Sequence, residues 1–202
     1  MKKKTALAML AAVCLTLGAD ASFAGKKEKK SSAERPVKEQ FTATLSPPPA
    51  NQNGTATIVV VDYTTDAEMK DYSTAYLQGG DGALRAAFHK GMGDFTVGGG
   101  GITFVVVRSI PNGSSRTEFI IGIAPLAPLA PLEGQTGVTG LHRLREDYPY
   151  SLINMQLDGN GNGSGVLYQF VKLQFDAHGS PHVIPPVEQF PVKLVDVHLV
   201  KK

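Results

Sequence analysis

"YSLINMQLDGNGNGSGVLYQFVKLQFD", residues 150–176, supports two readings that lead to different folds. Numbered as a calcium loop from Asp158, it places Asp158, Asn160 and Asn162 at the first, third and fifth ligand positions, Gly163 at the sharp turn and Ser164 at the carbonyl position. The last ligand position, which should carry a bidentate glutamate, holds Gln169. A single formal negative charge makes this a weak calcium candidate, because affinity falls with ligand charge. The hairpin reading accounts for more residues. Ile153, Met155 and Leu157 alternate on one arm, and Leu167, Val171, Leu173 and Phe175 continue that face on the other, with Gln169 as the exception. Asn160-Gly161 and Asn162-Gly163 suit the positive backbone angles of a tight turn.

"VKLVDVHLV", residues 192–200, closes the chain with apolar residues at alternate positions. Before it "DAHGSPH", residues 176–182, gathers Asp176, His178 and His182, a second weak metal candidate. Gly179 and Pro181 exclude a helix there, so the histidines cannot share a helical face, and the stretch reads as a turn.

Towards the N-terminus "FTATLS" (41–46), "TATIVVVD" (55–62), "DFTV" (94–97), "ITFVVVRSI" (102–110) and "TEFIIGI" (117–123) are rich in β-branched and aromatic residues and separated by Gly, Pro and Asn. One interval breaks the β pattern. Thr65 and Glu68 form a capping box, and Met69, Tyr72, Tyr76 and Leu77 fall on one helical stripe that Gly79-Gly80 stops. Asp81 caps a second helix with Leu84, Ala87 and Phe88 on its buried side. The expected fold class is therefore α+β: an antiparallel sheet of about six to eight strands with two short helices near residues 65–90 packed on one face or edge.

Lys2, Lys3 and Lys4 precede an apolar run from Ala6 to Leu17, which is shorter than the roughly 20 residues of a membrane span. Residues 1–24 are expected to be a signal peptide cut after Ala24, with a cut after Ala21 as the alternative. The chain is then exported to the periplasm or the extracellular space. Removing this segment takes away Lys2, Lys3, Lys4 and Asp20, so 20 basic and 18 acidic residues become 17 of each. A neutral mature chain does not point to nucleic acid. Cys14, the single cysteine, leaves with the leader, and the domain must rely on an ordinary core. Residues 25–40 are charged and small, with one branched apolar residue, Val37, and read as a flexible basic tail. The globular domain is expected over 41–202, with no transmembrane segment. "APLAPLAPL" (124–132) could set Leu126, Leu129 and Leu132 along a polyproline ridge, pack on its own domain, or be an expanded loop.

"EDYPYSLINMQLDGNGNGSG", residues 146–165, resembles a group of exported bacterial proteins of unknown function that share an Asp-Tyr-Pro-aromatic lead into a strand and a Leu-Asp-x-x-Gly hairpin. The likeness extends over about residues 41–202, except for the Ala-Pro-Leu repeat. It implies export and one β-rich domain, and it implies no reaction, cofactor or catalytic residue.

There is no nucleophile elbow and no "HExxH" motif, and the glycines at 98–101 precede a strand rather than a helix. The primary expectation is a non-enzymatic envelope or extracellular protein without a cofactor that binds an envelope protein or cell-surface polymer. Two alternatives stand beside it. One is a secreted hydrolase whose site forms only in the fold, around Asp176, His178 and His182. The other is a weak calcium-binding module at Asp158, Asn160 and Asn162.

Overall fold

A computed structural model describes residues 36–48, 54–98, 100–125, 144–186 and 191–201. The expected leader, most of the basic tail and the Ala-Pro-Leu repeat beyond Pro125 lie outside the described residues.

Nine antiparallel strands are connected by pairing: β1 (Glu39–Ser46), β2 (Thr55–Val60), β3 (Gly93–Val97), β4 (Gly100–Asn112), β5 (Ser115–Ile123), β6 (Tyr150–Leu157), β7 (Gly163–Phe175), β8 (Pro181–Ile184) and β9 (Val192–Lys201). Each of the first seven pairs with the next. β9 then joins β7 to β1, so eight strands close into a barrel. β8 stands outside the ring, paired with the far end of β7. The expected sheet is thus a closed barrel, and the "PHVI" strand adds one to the expected count. Closure removes the free edges that an open sheet of this size would expose.

The barrel interior is filled by apolar side chains from all eight strands, among them Phe41, Ile58, Phe95, Phe104, Ile120, Met155, Leu167 and Leu194. A second apolar cluster lies on the outer wall, under the helix α1 (Asp66–Ala87). The capping box forms as expected: Glu68 N donates to Thr65 Oγ1 at 3.2 Å, and Thr65 N donates to Glu68 Oε2 at 2.8 Å. Gly80 takes φ 64° and ψ −154° inside α1, a conformation glycine adopts without steric cost, and so divides it into the two expected helical segments. Tyr72 and Leu84 are buried, whereas Leu77 is 55% exposed and does not belong to the buried stripe. Burying a leucine or tyrosine of this kind contributes about 1.5–3 kcal/mol, which holds α1 to the wall.

Three bulges decide which residues face which cluster. An extra residue at Val105 lets Phe104 and Val107 face inward while Val105 and Val106 both meet the outer cluster. In β7 the extra residue lies opposite Ser151, so Leu167 faces the interior but Val171, Leu173 and Phe175 turn outward under α1. The continuous face expected along that arm is therefore split. In β9, Asp196 takes φ 49° and the alternation shifts, putting Leu194 and Val197 both inside. Each bulge adds one residue to one strand and so reverses the side-chain parity beyond it. β1 starts two residues before the expected domain boundary, so Glu39 and Gln40 belong to the barrel rather than to the tail.

Candidate functional site

Concave surface and polar side chains meet between the second half of α1, the segment 146–149 and β7. A groove of about 270 Å³ is lined by Tyr76, Asp81, Glu146, Asp147, Lys172 and Gln174, with Pro149 and Leu173 beside them. A short helical stretch at 144–147 carries the two carboxylates of this segment, and Tyr148 N donates to Leu144 O at 2.8 Å. Ala124, Leu144, Phe170 and the part-buried Tyr148 pack together and hold the stretch against the barrel. Asp81 fixes the opposite wall. Its Oδ1 accepts from the Tyr150 hydroxyl at 2.6 Å, and its Oδ2 accepts from Arg85 Nε at 2.8 Å. Burial, and then the neighbouring Asp81 carboxylate, raise the Tyr150 phenol far above its ordinary value, so it stays a donor. Lys172 places its ammonium 4.8 Å from the Tyr148 ring centre. Three carboxylates thus line an open groove with Lys172, Asp81 among them paired to Arg85, and Asp147 exposed.

A second polar group lies inside one end of the barrel. Arg116 grips Glu39 with two bonds, Nη1 to Oε1 at 3.1 Å and Nη2 to Oε2 at 2.6 Å, and the Tyr63 hydroxyl donates to Oε2 at 2.9 Å. Arg116 Nε stands 3.0 Å from Glu118 Oε1, yet neither oxygen of Glu118 accepts an aligned hydrogen bond. Glu118 is 0% exposed. Burial pushes its carboxyl from 4.5 up to about 7, outweighing the Ser109 hydroxyl and Arg116, which favour the charged form, while Glu39 adds to the rise. Tyr63 reaches the cluster because residues 61–65 cross the barrel end. Val61 N and Asp62 N donate to Met92 O at 2.8 and 3.1 Å, and Thr64 N donates to Val107 O at 2.8 Å. Outside this seal, Lys38 and Lys90 bond to Asp62 at 2.6 and 3.2 Å. The Lys38 bond chiefly holds the Asp62 carboxyl down at about 2.

The residues singled out in the sequence fall elsewhere. Asp158 and Asn162 meet at the tip of the β6–β7 hairpin, where Asp158 Oδ1 accepts from Asn160 N at 2.8 Å and Asn162 N at 2.9 Å. These donors hold the Asp158 carboxyl below its usual range. Gly161, at φ 81°, lies so close to β9 that an added methyl would meet Leu199 at 2.6 Å. His198 Nδ1 pairs with Asn162 Oδ1 at 3.0 Å across the same contact. Asp176 Oδ1 likewise accepts from His178 N at 2.8 Å and Ser180 N at 2.9 Å, and its Oδ2 lies 3.4 Å from His182 Nε2. His178 is exposed on the β7–β8 turn and His182 on β8, and neither lines the groove. Among the described residues, no group of three or more His, Cys, Asp or Glu side chains is placed to hold a metal ion. Nor, among them, is any helix long and apolar enough to cross a membrane.

Glu39, Arg116 and Glu118 do not stand out in the sequence as site residues, nor do Glu146, Asp147 and Lys172; Tyr63 stands out there only as one of six tyrosines open to a stacking or interface role, and Asp81 only as a helix cap. A signal existed for Glu118: it shares strand parity with the apolar Ile120. Compared with known protein families, curated proteins and solved structures, the chain matches none.

Proposed function

We propose that the protein is an exported, non-enzymatic binding protein whose barrel supports a groove for a basic segment of an envelope partner. The carrying observation is the groove of about 270 Å³, lined by Asp81, Glu146, Asp147 and Lys172, with Asp81 paired to Arg85 and Asp147 exposed at the opening. Tyr76 and the packed Pro149 and Leu173 give the groove an apolar floor for a long aliphatic stem, while the carboxylates receive its charged head. Asp81, held by Tyr150 and Arg85, shapes the wall, and Asp147 is exposed where an incoming ammonium or guanidinium would arrive. An exported, uncharged mature chain fits this role because a local patch, not net charge, then selects the partner.

Titration calorimetry with tetralysine, spermidine and a neutral sugar tests the reading. Both cations should bind and the sugar should not. Added salt should weaken binding, and Asp147→Asn should weaken it about two- to fivefold, the range of an exposed ion pair. Cation binding that is unaffected by Asp147→Asn, or absent altogether, would remove the groove from consideration.

A further inference from the structure

We propose that the charged end of the barrel is a proton-operated latch, in which a proton on Glu118 lets β5 hold β1 through Arg116 and Glu39, and its loss loosens that contact. The geometry poses a charge problem. Two carboxylates, Glu39 and Glu118, face one guanidinium in a space lined by Phe41, Ile120 and Met155, and Arg116 commits both of its terminal nitrogens to Glu39. Arg116 also lies over the Phe41 ring, 5.8 Å from its centre, which fixes it in this pose. Around Glu118 stand Arg116 on β5 itself, Glu39 from β1, Tyr63 from the crossing segment, Ser109 opposite on β4, and apolar Met155 opposite on β6. Arg116 is the one full positive charge among these groups. With Glu118 protonated the cluster is neutral; with it ionised, one negative charge is left uncompensated away from water.

The direction of the pH effect follows from the folded carboxyl titrating above its unfolded value. Its stabilising contribution is complete below about 4.5 and is lost as pH rises through about 7. The element that yields is the start of β1. There Lys38 N bonds to Val60 O, Glu39 opens the ladder with β2 and Gln40 the ladder with β9, and the Arg116 grip on Glu39 is the side-chain tie across the barrel.

The test is thermal melting together with amide protection factors between about pH 5 and about pH 8. The wild-type melting temperature should fall by about 5–10 °C across this range, with protection lost at Phe41 and Glu118. Glu118→Gln, which copies the protonated form, should fold, melt at nearly constant temperature and keep protection at both ends of the range. Glu39→Gln should move the transition to lower pH, because Arg116 then serves Glu118 alone. A wild-type slope retained in Glu118→Gln, or a transition that Glu39→Gln leaves in place, would overturn the proposal.

Discussion

Glu39 and Glu118 inside the barrel, and Glu146 and Asp147 in the groove, are the same chemical groups at different depths. Inside, Glu118 has lost its water and keeps only the Ser109 hydroxyl and an Arg116 already committed to Glu39, too little to offset burial, so the cheapest counter-charge is a proton. In the groove, Glu146 and Asp147 remain exposed, and Asp147 keeps its contact with water on the side where a cation would approach. Depth therefore assigns the roles. Glu118 responds to pH and acts on stability through the Arg116–Glu39 contact, whereas the exposed Asp147, the proposed ligand contact, should leave stability almost unchanged.

Arg116→Met breaks this contrast most severely. It leaves Glu39 buried without its ion partner and should cost about 3–5 kcal/mol at pH above about 7, less below about pH 5 where Glu118 is neutral. Urea unfolding at both pH values measures the difference. A smaller effect is expected from Tyr150→Phe, which removes the hydroxyl that fastens Asp81 and α1 to the barrel. About 1–2 kcal/mol should be lost, with no change in the pH dependence, because Tyr150 lies outside the Glu118 cluster. Asp147→Asn marks the other extreme: stability within about 0.5 kcal/mol of wild type by the same unfolding measurement. A large loss there would mean that Asp147 is a structural residue and that the two acidic regions differ less than their exposure implies.

Much of the architecture was legible because it depends on local rules. The Thr65–Glu68 box, the glycine break at Gly80 and the Asn-Gly hairpin tip each involve residues close in sequence, and each appears at its expected position. Barrel closure was not legible, because the pairing of β9 with β1 joins residues more than a hundred positions apart and leaves no periodicity to detect. The bulges had a similar effect. "FVVVR" and "LVDV" each break strict alternation, but a single sequence does not say whether an extra apolar residue points outward to a helix or simply extends the core. Glu39 was obscured by its neighbours: a glutamate following "KKEKKSSAERPVK" reads as part of a solvated tail until Arg116 is found across the barrel. The groove was hidden for the same reason, since Asp81, Asp147 and Lys172 come from three separate elements.

The most direct measurement is a carbon-13 titration of the Glu118 side-chain carboxyl by nuclear magnetic resonance, assigned through Glu118→Gln. A midpoint near 7 is expected if burial beside Glu39 governs the group. A midpoint at the ordinary 4.5 would mean that water or another donor already satisfies Glu118, and the distinction between the sealed and open acids would fail.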